Sequence, residues 1–356
     1  MARDAVTLRD VADAAGVSIA TASRALTGKN RVSKATTAHV RQVAERLGYR
    51  VNVFGRALRE GTDGAVGVIV PVISNPFYGQ LVHSLEEQLG AHSLELIVAD
   101  SHGEVDRERD RLRMLVRRRV EGIVVVPSDA TSSLDALVEA ADDVPVVQLD
   151  RRVEQAPTDF VGVDNDRGIA LLVEHLVSRG AVHIALVASD DTTSAGRERR
   201  AAFEREIARR GLPVHPPVLD NFTLEFGLAA AGTVASRSPL PDAIVAGDDL
   251  IAAGLITGLK RHGVAVPQDV MVTGFDGTML ADVCDPALTT VVQPFDQIAA
   301  EAVRALLRRT KDRDAPAIYS RLAPALRVSM STSPAPATPP APPAPAAARA
   351  TRAQSS

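Results

Sequence analysis

The chain is short of several residue types and patterns, and each shortage excludes a class of protein. Its 356 residues hold one cysteine, Cys284, no tryptophan, and only 3% aromatic side chains. A single cysteine rules out an internal disulfide and any zinc site built on paired thiolates. No stretch of 18 or more apolar residues occurs, so nothing reads as a membrane span. The opening Met1-Ala2-Arg3-Asp4-Ala5-Val6-Thr7 lacks the apolar core of a secretory signal, and a cytoplasmic location is expected. The eight histidines are scattered with no pair at metal-ligand spacing, and neither a Walker loop nor a Gly-x-Ser-x-Gly elbow is present. The glycine-rich run Gly61 to Gly67 precedes a strand instead of joining a strand to a helix, so it is no dinucleotide fingerprint. Asp142-Asp143 and Asp248-Asp249 are adjacent pairs whose side chains diverge. These absences speak against an enzyme, and no metal or cofactor is expected.

What is present is concentrated at the amino terminus. Thr7 with Asp10 three residues later is a capping-box start. Leu8, Val11, Ala12 and Ala15 then line one helical face. Gly16 permits a left-handed turn, and Ser18 can cap a second helix. That helix buries Ala22, Ala25 and Leu26 and leaves Ile19, Ala20, Thr21, Ser23 and Arg24 outside. A short helix showing small, polar and basic groups suits the major groove of DNA, so the pair reads as a helix-turn-helix. Two amphipathic helices could instead belong to an ordinary helical core, but the charge distribution argues otherwise. Residues 1–61 hold eleven cations against five acids, a net +6, whereas the whole chain is −4. A basic head on an acidic body is expected when one end alone meets phosphate.

From Val6 to Arg59 the sequence resembles the DNA-binding head of the lactose/galactose repressor (LacI/GalR) family. The matching residues include Thr7-Leu8-Arg9-Asp10-Val11-Ala12, Ala15-Gly16-Val17-Ser18, Ala20-Thr21-Ala22-Ser23-Arg24-Ala25-Leu26, Val32-Ser33, Leu47-Gly48-Tyr49 and Asn52. The resemblance implies that Ile19, Ala20 and Arg24 read base edges, Arg24 toward guanine and the two apolar residues toward a thymine methyl. It implies positioning contacts from Thr7, Ser18, Thr21, Ser23, Thr27, Arg31, Ser33, Thr36 and Asn52. Thr21 and Ser23 would also fit a plain solvated surface. The family's hinge helix corresponds to residues 50–63, with Leu58 at the position of a wedge that unstacks a base step. Val51 replaces the usual proline there and Gly55 the usual alanine. Glycine costs about 1 kcal/mol relative to alanine inside a helix, so the hinge is expected to be disordered off DNA and weaker than usual on it. Leu58 could instead pack against the body.

After Gly61 short apolar runs alternate with helical segments. Strands are predicted at Ala65–Val70, Leu94–Ala99, Gly122–Val126, Val144–Leu149, Phe160–Val163, Val182–Val187, Ala243–Ala246, Val270–Thr273 and Thr289–Val292. Helices are predicted around 77–91, 105–119, 132–141, 166–179, 197–210, 225–237, 249–262 and 295–309. Fully apolar strands between helices indicate parallel sheets covered on both faces. Nine strands are too many for one ordinary sheet, so two lobes with a cleft at their strand ends are expected. The fold class is thus α/β, with an all-α helix-turn-helix head and a two-lobed core. The core also resembles the family, whose sensor is similar to periplasmic sugar-binding proteins. The phrases that carry this are Asn75-Pro76-Phe77-Tyr78, Leu149-Asp150-Arg151, Val161-Gly162-Val163-Asp164-Asn165, Gly274-Phe275-Asp276 and Pro286 to Pro294. The implied divisions are a head at 1–49, a hinge and linker at 50–63, a core at 64–330 and a tail at 331–356. Family topology implies three crossings between lobes, with lobe one at about 64–163 plus 292–328 and lobe two at about 164–291.

Strand-end positions supply a ligand site in Asn75, Phe77 and Tyr78, then Asp150 with Arg151, Asp248 and Asp276. The resemblance implies Arg199, on a helix, as its ligand-binding arginine and Phe222 as an aromatic cover. Carboxylates and an arginine around an aromatic face suit a polyhydroxylated ligand, and a sugar is the expected effector. Each has a simpler reading: Arg199 as solvated helix surface, Phe77 and Phe222 as core, Asp248 as a helix cap. Gly247 stands where many relatives carry an effector-binding asparagine, and Ala202 replaces a glycine, so a nucleobase, a sugar phosphate or no effector stays open. The Pro/Ala-rich tail lacks the heptad pattern of a coiled coil, so the partners expected are duplex DNA with a pseudopalindromic operator, a small effector and a second copy of the chain. The rival reading is a binding protein that merely captures sugar; salt-sensitive DNA binding distinguishes the two.

Overall fold

The computed structural model describes residues 6–27, 32–47 and 64–333. Arg31, Asn52, Leu58, the hinge at 50–63 and the tail from 334 onward lie outside the described residues. The head holds α1 (Leu8–Ala14), α2 (Ile19–Thr27) and α3 (Lys34–Leu47), the last not singled out by sequence. Val11, Ala12, Ala15, Ala22, Ala25, Val40, Val43 and Ala44 form its core. Small residues dominate that cluster, so the three helices pack closely.

The body begins at Gly64 and builds two six-stranded sheets. The first is ordered β2 (Glu95–Asp100), β1 (Ala65–Val70), β3 (Gly122–Val125), β4 (Val146–Leu149), β5 (Asp159–Val163) and β11 (Tyr319–Leu322), all parallel. The second repeats that order with β7 (Val218–Asp220), β6 (Ile184–Ser189), β8 (Ala243–Ala246), β9 (Met271–Asp276) and β10 (Thr289–Val292), closed by an antiparallel β12 (Ala325–Arg327). The central strands are buried along their whole length, because helices cover both faces of each sheet.

One face of the first sheet carries α4 (Pro76–Ala91) and α12 (Phe295–Lys311), whose Leu81, Leu85, Ile298 and Ala302 pack over Val66, Val124 and Val147. The other face carries α5 (Val105–Arg117) and α6 (Leu134–Asp143). The second sheet is covered by α7 (Asn165–Ser178) and α8 (Ser194–Arg209) on one side, and by α9 (Leu224–Ala235) and α10 (Asp249–Arg261) on the other. A short α11 (Leu280–Val283) precedes β10.

The chain changes lobe between β5 and α7, between β10 and α12, and between β11 and β12. The last change corrects the expected lobe boundary: residues 325–327 pair with β10 and return to the second sheet. The three-residue runs β7 and β12 and the polar β11 carried too little apolar signal to be predicted. The expected tail boundary also moves. Met330–Thr332 is a 3-10 turn in which Ser331 Oγ donates to Val272 O at 2.6 Å and accepts from Thr289 N at 2.8 Å. These polar partners fix residues 331–332 to the core; only sequence beyond them has the composition of a tail. Among the described residues no helix is long and apolar enough to cross a membrane.

Candidate DNA-reading surface and ligand cleft

In the head, the Thr7 hydroxyl and the Asp10 carboxylate cap each other's backbone N–H groups, holding α1 at its start. Gly16 takes φ +64°, the left-handed turn that sets α2 across α1. Ser18 Oγ accepts from Thr21 N at 3.1 Å and shares a 2.8 Å hydrogen bond with the Thr21 hydroxyl. Ser33 does the same with Thr36 at the start of α3. Ser18 and Ser33, like Thr7, therefore already cap helices, and the Thr21 and Thr36 hydroxyls are bonded to those serines; donation to phosphate is an added use. Ile19, Ala20 and Arg24 are exposed, Thr21 and Ser23 half-buried, and Thr27 closes the helix. Ile19 is 39% exposed although apolar, consistent with contact to something outside the head. Acid residues are absent from the first turn of α2, where the helix dipole would draw phosphate.

In the body, every sequence-predicted cleft residue converges on one place. Asn75, Phe77, Tyr78, Asp150, Arg151, Arg199, Phe222, Asp248 and Asp276 line a single cavity, joined by Ala195. It lies beyond the carboxyl ends of both sheets, at β1/β3 and β6/β8 where strand order reverses, the usual ligand position in such folds. Larger hollows, about 310 Å³ and 400 Å³, open on the opposite edge of the first lobe near the starts of β3 and β4. Those sit at the wrong end of the strands for a ligand and are not candidates on this ground.

Local structure aims each side chain. Asn75 caps α4 through Phe77 N at 2.9 Å, so Phe77 and Tyr78 occupy its first turn. Phe77 is both core and lining: its ring meets Tyr78 edge-on and Phe295 tilted, at 5.0 Å and 5.5 Å between centroids. Asp150 and Asp276, at the ends of β4 and β9, have φ of +60° and +112°, conformations that a non-glycine residue adopts at a cost of about 1–3 kcal/mol and that cluster at functional sites. Asp248 caps α10 by accepting from Ile251 N at 2.7 Å, and lines the cavity as well. Asp249 points elsewhere, accepting from the Thr290 hydroxyl and from Thr278 N.

Arg199 is 3% exposed and fully engaged: Nε donates to Asn165 Oδ1 at 2.9 Å, Nη1 to Gly247 O at 2.7 Å, and Nη2 lies 3.5 Å from Asp276 Oδ1. Its guanidinium also stacks 3.8 Å from the Phe275 centroid. Arg151, placed with Asp150 at the strand end by the sequence, lies 5.7 Å from the Phe222 ring and 6.0 Å from that of Tyr78. The carboxyl of Asp150 and the Nε of Arg151 are buried with one atom each lacking a hydrogen-bond partner, a donor and an acceptor offered side by side.

Burial raises all three cleft carboxyls above the ordinary range: Asp150, Asp276 and Asp248, the last to about 7. Arg199 opposes the rise at each, and neighbouring carboxylates add to it at each, Glu198 at Asp150 among them. The cavity left between these groups measures about 20 Å³, enough for about one water by the usual criterion. Inter-lobe bonds hold it shut, with Arg152 N donating to Ser194 Oγ at 2.7 Å and Ala130 N to Thr192 O at 2.9 Å. Among the described residues no group of three or more His, Cys, Asp or Glu is arranged to hold a metal.

Gly247 explains one departure noted in the sequence. A Cβ at this position would lie 2.9 Å from both Cα and Cβ of Ala188, so no side chain fits without moving β6. Its backbone carbonyl accepts from Arg199.

A helix-turn-helix head followed by a two-lobed sensor with a polar cleft defines the class of ligand-responsive DNA-binding regulators. Comparison with known proteins agrees. Residues 7–52 match the family model described as bacterial regulatory proteins, lacI family, and residues 173–332 match a periplasmic binding protein-like domain. The HTH-type transcriptional regulator DegA of Bacillus subtilis is 32% identical over 92% of this chain and 98% of its own length. The HTH-type transcriptional repressor PurR of Vibrio cholerae is 31% identical over 86% of this chain and 92% of its own. Among solved structures, the lac repressor dimer bound to operator and the anti-inducer ONPF superposes with a TM-score of 0.81 over 92% of this chain and 99% of that one; at 24% identity it speaks for the fold. The transcriptional regulator CelR in complex with cellobiose is 26% identical, with a TM-score of 0.69 over 92% of this chain and 99% of that one. The chain belongs to the lacI family of bacterial regulatory proteins and is a DNA-binding transcriptional regulator with a ligand-binding core.

Proposed function

We propose that this regulator is a dimeric repressor that reads a near-palindromic operator and changes its grip when a neutral, polyhydroxylated ligand of the sugar class binds between the lobes. The observation that carries the ligand class is the cleft itself: three buried carboxyls and two guanidinium groups set against the faces of Tyr78, Phe77 and Phe222. Hydroxyls both donate to carboxylates and accept from arginine, and the C–H face of a sugar stacks on an aromatic ring. Because burial raises the carboxyls toward their protonated form, they can donate to a ligand hydroxyl as well as accept from one. Cellobiose in CelR supports the same class, and the repressor name of PurR supports the sign of regulation.

Ligand entry requires the lobes to part or Arg151 to leave the rings, because about 20 Å³ holds no sugar. Affinity for the ligand therefore contains the cost of that change, and the ligand regulates DNA binding only by preferring one degree of closure. In the head, Arg24, Ile19 and Ala20 read bases, two heads occupy half-sites about one helical turn apart, and Leu58 of each subunit wedges the central step. The test is thermal shift of the full chain against cellobiose, ribose, glucose and hypoxanthine, followed by titration of a duplex selected from random sequence. A sugar that raises the melting temperature and alters duplex affinity supports the proposal. Stabilisation by hypoxanthine alone, or a sugar shift with no change in DNA affinity, refutes it.

A further inference from the structure

A continuous set of side-chain contacts runs from the cleft to all three crossings between the lobes, and one carboxylate joins its two halves. From Arg199, Nε reaches Asn165 Oδ1 at 2.9 Å; Asn165 Nδ2 donates to Glu198 Oε2 at 2.9 Å; Glu198 Oε1 accepts from Arg321 Nη2 at 2.8 Å. On its other side Arg199 lies 3.5 Å from Asp276 Oδ1, which also accepts from Gln293 Nε2 at 2.8 Å. Asn165 opens α7 just after the first crossing, Gln293 begins the second, and Arg321 stands on β11 just before the third. Asp164 N, donating to Leu322 O at 2.8 Å, ties the first crossing to the third.

Glu198 does not line the cavity. An exposed ion pair of its kind is worth little by itself. Its position is nevertheless singular in this network: one oxygen serves the second lobe through Asn165, the other serves the first lobe through Arg321. Asn165 is buried, and its amide is planar, so Oδ1 and Nδ2 cannot move independently. If Arg199 shifts toward a ligand, the Asn165 amide turns with it or loses that bond. Turning withdraws Nδ2 from Glu198, which keeps its bond to Arg321 but no longer ties Asn165 to β11.

We propose that Glu198 is a positioning residue that passes the place of Arg199 to the third crossing, and so couples cleft occupancy to lobe closure. This rests on Arg199 being a ligand contact. Amide hydrogen exchange on the full chain tests it without a ligand. In Glu198→Ala, exchange rises about fivefold or more at 163–166, 292–296 and 322–326, the change that loss of a pair worth about 1 kcal/mol gives. Helices 8–27 of the head stay unchanged. Glu198→Gln, which retains only one good acceptor, falls between.

A rise confined to 194–209, or none at the crossings, overturns the proposal, since a merely local role moves only its own helix. Should Glu198→Ala fail to fold, Arg321→Ala gives the same pattern from an accessible strand position, and Arg321→Lys restores wild-type exchange at 163–166. Failure of the ligand reading is seen separately: cellobiose then leaves exchange at 76–80 and 196–200 of the wild type unaltered while the crossings still respond to Glu198→Ala.

Discussion

Replacing Arg199 by alanine tests the cleft most directly. The change deletes hydrogen bonds to Asn165 and Gly247, the ion pair with Asp276 and the stack on Phe275. Breaking a buried charge pair by removing one partner costs about 3–5 kcal/mol. Here the lower end applies, because Asp276 and Asp248 are already raised and can take up a proton once the guanidinium is gone. For a core of this size each kcal/mol moves the melting temperature by about 2–4 °C, so a fall of about 6–12 °C is expected near neutral pH. The deficit shrinks toward about pH 6, where protonation of the aspartates replaces the lost cation. Arg199→Lys keeps the charge but cannot serve Asn165, Gly247 and Asp276 together, and lies between. Ligand affinity falls by about tenfold to 150-fold, the worth of one charge-assisted hydrogen bond of about 1.5–3 kcal/mol. Differential scanning calorimetry across pH, with and without the sugar found by screening, reads both effects. A melting temperature within about 2 °C of wild type, less than 1 kcal/mol of destabilisation, refutes the reasoning.

Three further outcomes follow from the same geometry. Arg24→Ala removes about 1–3 kcal/mol of base discrimination per half-site while lowering the salt dependence only slightly; anisotropy competition between operator and scrambled duplex checks it, and unchanged preference refutes the assignment. Asp248→Asn gains stability relative to wild type as pH rises from about 5 to 8, because a carboxyl raised to about 7 favours the folded state only while it stays protonated, and that benefit is lost through its folded pKa. The comparison with wild type cancels the opposing contribution of His175 and His215, whose burial lowers their pKa values; a difference that is flat with pH counts against the buried site. Gly247→Asn costs about 1–3 kcal/mol by overpacking against Ala188 and does not improve sugar binding. A urea midpoint equal to wild type, or tighter binding, overturns that account.

Much of the molecule was legible in one dimension because its signals are local. The Thr7–Asp10 box, Gly16 and the alanine face of α2 are contacts within a few residues, and fully apolar strands such as Val66–Val70 announce a parallel sheet wherever they pair. The strand-end residues of the cleft, Asn75, Phe77, Tyr78, Asp150, Arg151, Asp248 and Asp276, were legible for a related reason: in α/β sheets the ends of strands converge, so position along the chain implies position in space. Arg199, within a helix, and Phe222 came instead from the family resemblance. What the chain did not announce is that Arg151 lies against two rings from other segments, Tyr78 and Phe222.

The amino-acid order by itself settled the reading head, the alternation of strand and helix, and the charge division between a basic end and an acidic body, since each rests on periodicity or composition over a short window. Tertiary structure alone decided that β12 and residues 330–332 rejoin the second lobe, that Gly247 is glycine for want of space beside Ala188, that Asp150 and Asp276 hold left-handed backbone, and that the cleft is closed around its own arginines. Those facts depend on distances between residues far apart in the chain, and no local pattern of side chains encodes a distance.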